Sequence, residues 1–109
     1  MKRFAYKINR TVGSEGERRF EEVVGNYAFP MFNHDFCIHN GVSGWEVSEH
    51  SSGAMVYRGN TRKDTIKEAS VHVFNMDAEV VRVGSEFFKQ QYGLANEPLT
   101  EEEKDGKQY

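Results

Sequence analysis

Asp35, Cys37 and His39 stand two residues apart, and on an extended chain that spacing projects all three from one face. Three such side chains could ligate zinc or another divalent ion, with His50 as a fourth ligand. The set matches no zinc signature, however, and alternating polar residues are also what a solvent-facing strand presents, so no metal and no cofactor is assigned. Cys37 and His39 could form a thiol nucleophile and its base, but along one strand they lie about 7 Å apart, and no glycine-framed nucleophile motif surrounds the cysteine. Cys37 is therefore read as a packing residue. Glu46 and Glu49 fall on opposite strand faces. Glu21-Glu22 and Glu101–Glu103 fall on an expected helix surface and an expected tail, so no carboxylate pair is set up for acid–base work. Gly13-Ser14-Glu15-Gly16 lacks the Lys-Ser/Thr end of a phosphate loop, and Gly41–Gly44 lacks a following helix. The expectation is a protein that is not an enzyme.

The densest local charge is Arg58 with Arg62, Lys63 and Lys67. The last three occupy the first turns of an expected helix, where the partial positive charge of the N-terminus would favour a bound anion. Gly59-Asn60-Thr61-Arg62-Lys63-Asp64-Thr65-Ile66-Lys67-Glu68-Ala69 resembles the Ser-Lys-Lys-x-Ala-Lys start of the last helix of double-stranded-RNA-binding domains. The α-β-β-β-α order expected over 15–75 resembles theirs too. The resemblance implies phosphate contact for Arg62 and Lys63. Ile66 stands where that family has its last lysine, and Asn40–Gly44 does not carry the Gly-Pro-x-His loop.

The elements that would position these residues centre on Trp45–Phe74. Residues 45–49 and 54–58 alternate in character on either side of His50-Ser51-Ser52-Gly53, the pattern of a β-hairpin. A 50–53 loop sets Val47 opposite Val56, Glu49 opposite Ala54 and Trp45 opposite Arg58, with a cation–π pair at the end. Trp45, Val47, Ala54 and Val56 then face a core, while Glu46, Ser48, His50, Met55 and Tyr57 look outward with Asp35, Cys37 and His39. Thr61 with Asp64 resembles a capping box, so a helix starts at Arg62. Asn75 and Asp77 divide the following pattern into two helices, 62–75 and 78–91, with Gly93 ending the second. Upstream, residues 3–9 alternate as a first strand. Ser14-x-x-Glu17 with Phe20, Val23 and Val24 suggests a helix near 15–24, and 31–39 reads as the second strand, with Pro30 before it or at a sheet edge. The predicted fold is α+β: a mostly antiparallel four-stranded sheet with helices on one face, in the order β-α-β-β-β-α-α.

The chain has 109 residues, 38% hydrophobic and 28% charged, enough for one domain over 1–93 followed by a polar acidic tail over 94–109. A net charge of −3 argues against broad binding along a phosphate backbone. One cysteine suits a reducing compartment, no apolar run approaches a membrane span, and Met1-Lys2-Arg3 leads into a strand and not a signal peptide. A cytoplasmic location is expected. The functional expectation is a small binding or regulatory protein acting through a protein partner at Glu46, His50, Met55 and Tyr57. An accessory protein of a phage or mobile element that inhibits a nucleic-acid enzyme fits that size. The alternative is nucleic-acid binding through Arg58, Arg62, Lys63 and Lys67, and heptad-like spacing over 66–88 is compatible with a homodimer.

Overall fold

A computed structural model describes residues 3–104. Five strands, β1 (Phe4–Val12), β2 (Glu17–Met31), β3 (His34–Gly41), β4 (Gly44–Glu49) and β5 (Met55–Gly59), precede a long helix, α1 (Arg62–Tyr92), and a single turn, α2 (Glu101–Lys104). The strands pair antiparallel in sequence order, so the sheet is a five-stranded meander with β1 and β5 at its edges. The α+β class holds; the four-strand count and the β-α-β-β-β-α-α order do not.

The helix expected near 15–24 is the first half of β2, paired with β1 from Phe4↔Gly25 to Val12↔Glu17. Gly13 and Gly16, at φ +72 and +76, close the four-residue turn, a conformation that favours glycine and reverses the chain into a hairpin. Ser14 lies in the turn and Glu17 begins the strand, and pairing with β1 overrides the apolar 20/23/24 spacing. β2 then continues to Met31, so the strand expected over 31–39 begins later, after a two-residue turn at Phe32-Asn33 with both φ positive. Beyond Gly25, β2 has outrun β1, which leaves Pro30 on an edge where its missing N–H interrupts no ladder.

The 50–53 loop is present, closed by Glu49 N–H to Ala54 O (2.9 Å) and Gly53 N–H to Glu49 O (2.8 Å). The register beyond it differs. A bulge shifts β5 by one residue, so Val47 lies opposite Tyr57, Trp45 opposite Gly59 and Glu46 opposite Arg58. Arg58 accordingly pairs with a carboxylate, and the Trp45 cation–π pair does not form.

One sheet face buries Ala28, Phe36, Ile38 and Val47 against Ala69, Val73 and Val81 of α1, with Trp45, Val56 and Tyr57 at the margin. Thr61 caps the helix as expected, its hydroxyl accepting from Asp64 N–H at 3.2 Å. Helical geometry breaks once, at Asp77 (φ 62, ψ 167), between the two segments the sequence divides; its carboxylate accepts from Glu79 and Val80 N–H and restarts the helix. No described helix is long and apolar enough to cross a membrane.

The opposite face is a second core. Tyr6, Ile8, Tyr27 and Cys37 pack with Leu99, and the sheet curls until Asn9 N–H reaches Gly53 O at 2.8 Å. Gly53 permits that approach because a Cβ there would lie 2.8 Å from the Asn9 nitrogen. The acidic tail expected from residue 94 instead crosses this face. Ala95 and Leu99 are buried, Asn96 bonds to both backbone polar atoms of Lys7 and to His50 O, and Thr100 and Glu103 form a reciprocal capping box for α2. The remainder of the expected tail, 105–109, and the leader residues 1–2 lie outside the described residues.

Candidate functional site

The strand face expected to meet solvent is the floor of this second core. Alternation along β3 and β4 places Cys37 and His39 beside Ser48 and Glu46, in the pairs Cys37↔Ser48 and His39↔Glu46. All four side chains are buried, as is His50. Of the four residues expected to touch a partner, Glu46 and His50 therefore offer it no surface. Tyr57 packs at the helix-side core, its ring 5.6 Å from His72 and its hydroxyl donating to Glu68 (3.2 Å). Met55 alone is well exposed, at 46%. The expectation failed because β1 and the 95–104 segment, each unremarkable in sequence, cover that face.

Burial gives these groups different environments. Asp35 accepts from Tyr27 Oη (2.8 Å) and approaches Lys104 Nζ (3.6 Å), while Cys37 turns to His50 and His39 to Glu46, so the metal-like triad diverges. Among the described residues no three such side chains converge. Cys37 Sγ lies 3.6 Å from His50 Nδ1, and His50 Nε2 donates to Glu97 O at 3.2 Å, so the thiol is the donor to a neutral imidazole. Burial pushes the Cys37 thiol well up, with Asp35 adding to it, and burial holds His50 down against the Glu97 carbonyl. A completely buried thiol of raised pKa is a poor nucleophile.

Glu49 is a second buried hub. Burial raises its pKa, but the hydroxyls of Ser52, Ser51 and Ser85 and the Ser51 N–H outweigh that and leave the carboxyl below its ordinary value. It ties the β4–β5 loop to α1, a structural task.

Beside these groups a cleft of about 250 Å³ opens between the facing edges of β1 and β5. Its walls are Ile8–Thr11, Arg18, Met55, Arg58 and Phe88, above Glu46 and Ser48. Arg58 Nη2 donates to Glu46 Oε2 at 2.9 Å, Arg10 Nη2 stands 3.7 Å from Glu46 Oε1, and Arg10 also pairs with Glu21. His39 Nε2 is 3.5 Å from Glu46 Oε1 without hydrogen-bond alignment. Arg18 lies over the Phe88 ring, 5.0 Å from its centroid, and donates to Asn9 Oδ1 at 3.3 Å. Asn9 Nδ2, Ser48 Oγ and Tyr6 Oη are buried without a protein partner.

No family model, curated protein or solved structure matches this chain.

Among the described residues, most of the exposed large apolar side chains lie on α1. Val71 and Phe74 on the first arm, and Val80, Val83 and Phe87 on the second, are 49–65% exposed. Val80, Val83 and Phe87 recur at i, i+3, i+7, and Gly84 between them leaves open space. Next to this row an apolar groove runs between α1 and β5, lined by Ala54, Met55, Val56, Met76, Val80 and Gly84. The sequence carries the signal, since heptad-like spacing over 66–88 contains more apolar residues than one buried stripe needs. The basic set is dispersed: Arg58 turns its Nη2 to Glu46 in the cleft between β1 and β5, Arg62 is half-buried, and Lys63 and Lys67 are exposed.

Proposed function

We propose that this is a non-catalytic binding protein that acts through protein–protein contact, and that the contact surface is the outer side of α1 with the adjoining groove beside β5. The observation that carries this reading is the continuous apolar row Val80, Val83 and Phe87 beside Met55, all close to half exposed or more. Contiguous exposed apolar area of this kind characterises interaction sites, and Met and Phe are enriched in them. A partner helix or strand laid along the groove would use the space that Gly84 leaves. Regulation by such docking, including inhibition of a nucleic-acid enzyme, is the use expected of a chain this small.

The test compares the full chain with a Val83→Ser, Phe87→Ser double variant. Both side chains are exposed, so melting should be unchanged while a site-specific photo-crosslink from position 84 to the partner in native cells disappears. An identical crosslinking pattern in the variant would remove this surface from consideration. Nucleic-acid binding through Arg58, Arg62, Lys63 and Lys67 is the alternative. It predicts retention on duplex RNA or DNA that falls with salt and is lost on Lys63→Ala with Lys67→Ala.

A further inference from the structure

The cleft between β1 and β5 adjoins the α1 contact surface, with Met55 and Phe88 on the border between them, but its chemistry is of another kind. Arg10, Arg18 and Arg58 line the cleft against Glu46, and Arg10 is also paired with Glu21, so three arginines face two carboxylates and one positive charge is left over. The carboxylate already has Arg58 and Arg10 beside it, so the lining retains positive charge beyond what Glu46 offsets. Beneath the arginines, Asn9 and Ser48 each keep a polar atom without a protein partner, although both residues are at least nine-tenths buried. The Asn9 amide has a defined sense because its Oδ1 takes the Arg18 hydrogen bond, which leaves Nδ2 as an unused donor. Burying such groups unpaired is unfavourable, typically by about 1–3 kcal/mol each, so a water, an ion or a ligand group in the cleft that completes them is favoured.

We infer that this cleft binds a small molecule through an oxyanion, a phosphate or a carboxylate, held by Arg18 and Arg58 with the Asn9 amide and the Ser48 hydroxyl. Guanidinium groups match the planar or forked geometry of both oxyanions, and amide and hydroxyl donors complete the cradle. Size restricts the ligand: about 250 Å³ lies below the range of drug-sized sites. The remainder of the ligand lies against Ile8, Met55 and Phe88, a lining that suits a short apolar or flat body.

The experiment titrates the full-length protein with sodium phosphate, sodium acetate and, at matched ionic strength, sodium chloride. It follows the Asn9 side-chain amide and the Arg18 and Arg58 Nε–H signals by nitrogen–proton NMR. The expected result is saturable movement of these signals with phosphate or acetate and none with chloride. Movement with phosphate alone assigns a phosphate-bearing ligand, and movement with acetate alone a carboxylate. Arg18→Gln should weaken the response about tenfold or more, as expected for loss of a charge-assisted hydrogen bond. Ser48→Ala should weaken it too while the melting temperature holds or rises, because a partnerless hydroxyl is removed. No saturable movement with either oxyanion, the same movement with chloride, or responses unaltered by both variants would overturn the inference.

Discussion

Glu49 accepts from the N–H and hydroxyl groups of Ser51 and Ser52 and the hydroxyl of Ser85, has His34 Nδ1 at 3.4 Å, and is almost fully buried. Glu49→Ala would leave those donors unmet and should destabilise the fold by about 3 kcal/mol, measurable by urea unfolding. Glu49 also contributes to the pH dependence of stability, together with the buried imidazoles. Burial holds His39 and His50 below their ordinary value of 6.5. Above that value neither the folded nor the unfolded chain protonates them; below it the unfolded chain binds protons that the fold does not, so stability falls. Glu49 is held below 4.5 by its serine donors, so its contribution is complete above that pH and is lost as pH falls through the lowered folded value. Thermal melts between about pH 3 and 8 should therefore show a plateau above about pH 7 and two successive declines. His50→Gln should shrink the first, and Glu49→Gln the second. Cys37, with its raised pKa and no exposure, should react with a thiol reagent only on opening of the fold.

At the scale of elements, Asp77 combines a strained backbone with a useful side chain. A φ of 62 with ψ 167 is a conformation close to glycine-only, while the carboxylate caps the second arm of α1. Asp77→Ala keeps the strain and loses the cap, so it should destabilise by about 1–2 kcal/mol. Asp77→Gly relieves the strain and forfeits only a few tenths for the cap, so it should stabilise by about 1 kcal/mol. Calorimetry of the two variants separates strain from capping, and opposite signs are expected. The same position shows what a local signal can carry: Asn75 and Asp77 mark the break correctly, because capping is a property of neighbouring residues. The strand/helix error at 15–24 shows the converse. Ser14, Glu17 and the 20/23/24 spacing satisfy a helix locally, but residues 4–12 supply a partner strand, and the two positive-φ glycines at 13 and 16 set the turn that brings it alongside.

For the whole molecule, the consequential feature is that both sheet faces are covered. Leu99 comes from a segment rich in acidic residues yet closes the second core over Tyr6, Tyr27 and Cys37. Leu99→Ala should therefore lower stability by about 2–4 kcal/mol, as a buried leucine does, and should accelerate Cys37 modification in the same preparation. A tail free in solvent would show neither effect. Covering this face leaves the exposed large apolar side chains of the described residues concentrated on α1.

Alternation, capping and composition in the chain itself determined the α+β class, the hairpin over 45–58, the start of α1 at Thr61, its break near Asp77 and the two-sided pattern of β3, because each depends on residues within a few positions of one another. Tertiary structure alone decided that 17–31 is one strand, that β5 is shifted by a bulge so that Arg58 meets Glu46, and that the polar row Cys37, His39, Glu46 and Ser48 is enclosed. Those outcomes depend on which distant segments arrive to bury a face, here β1 with Tyr6 and Ile8 and the 95–104 segment with Leu99.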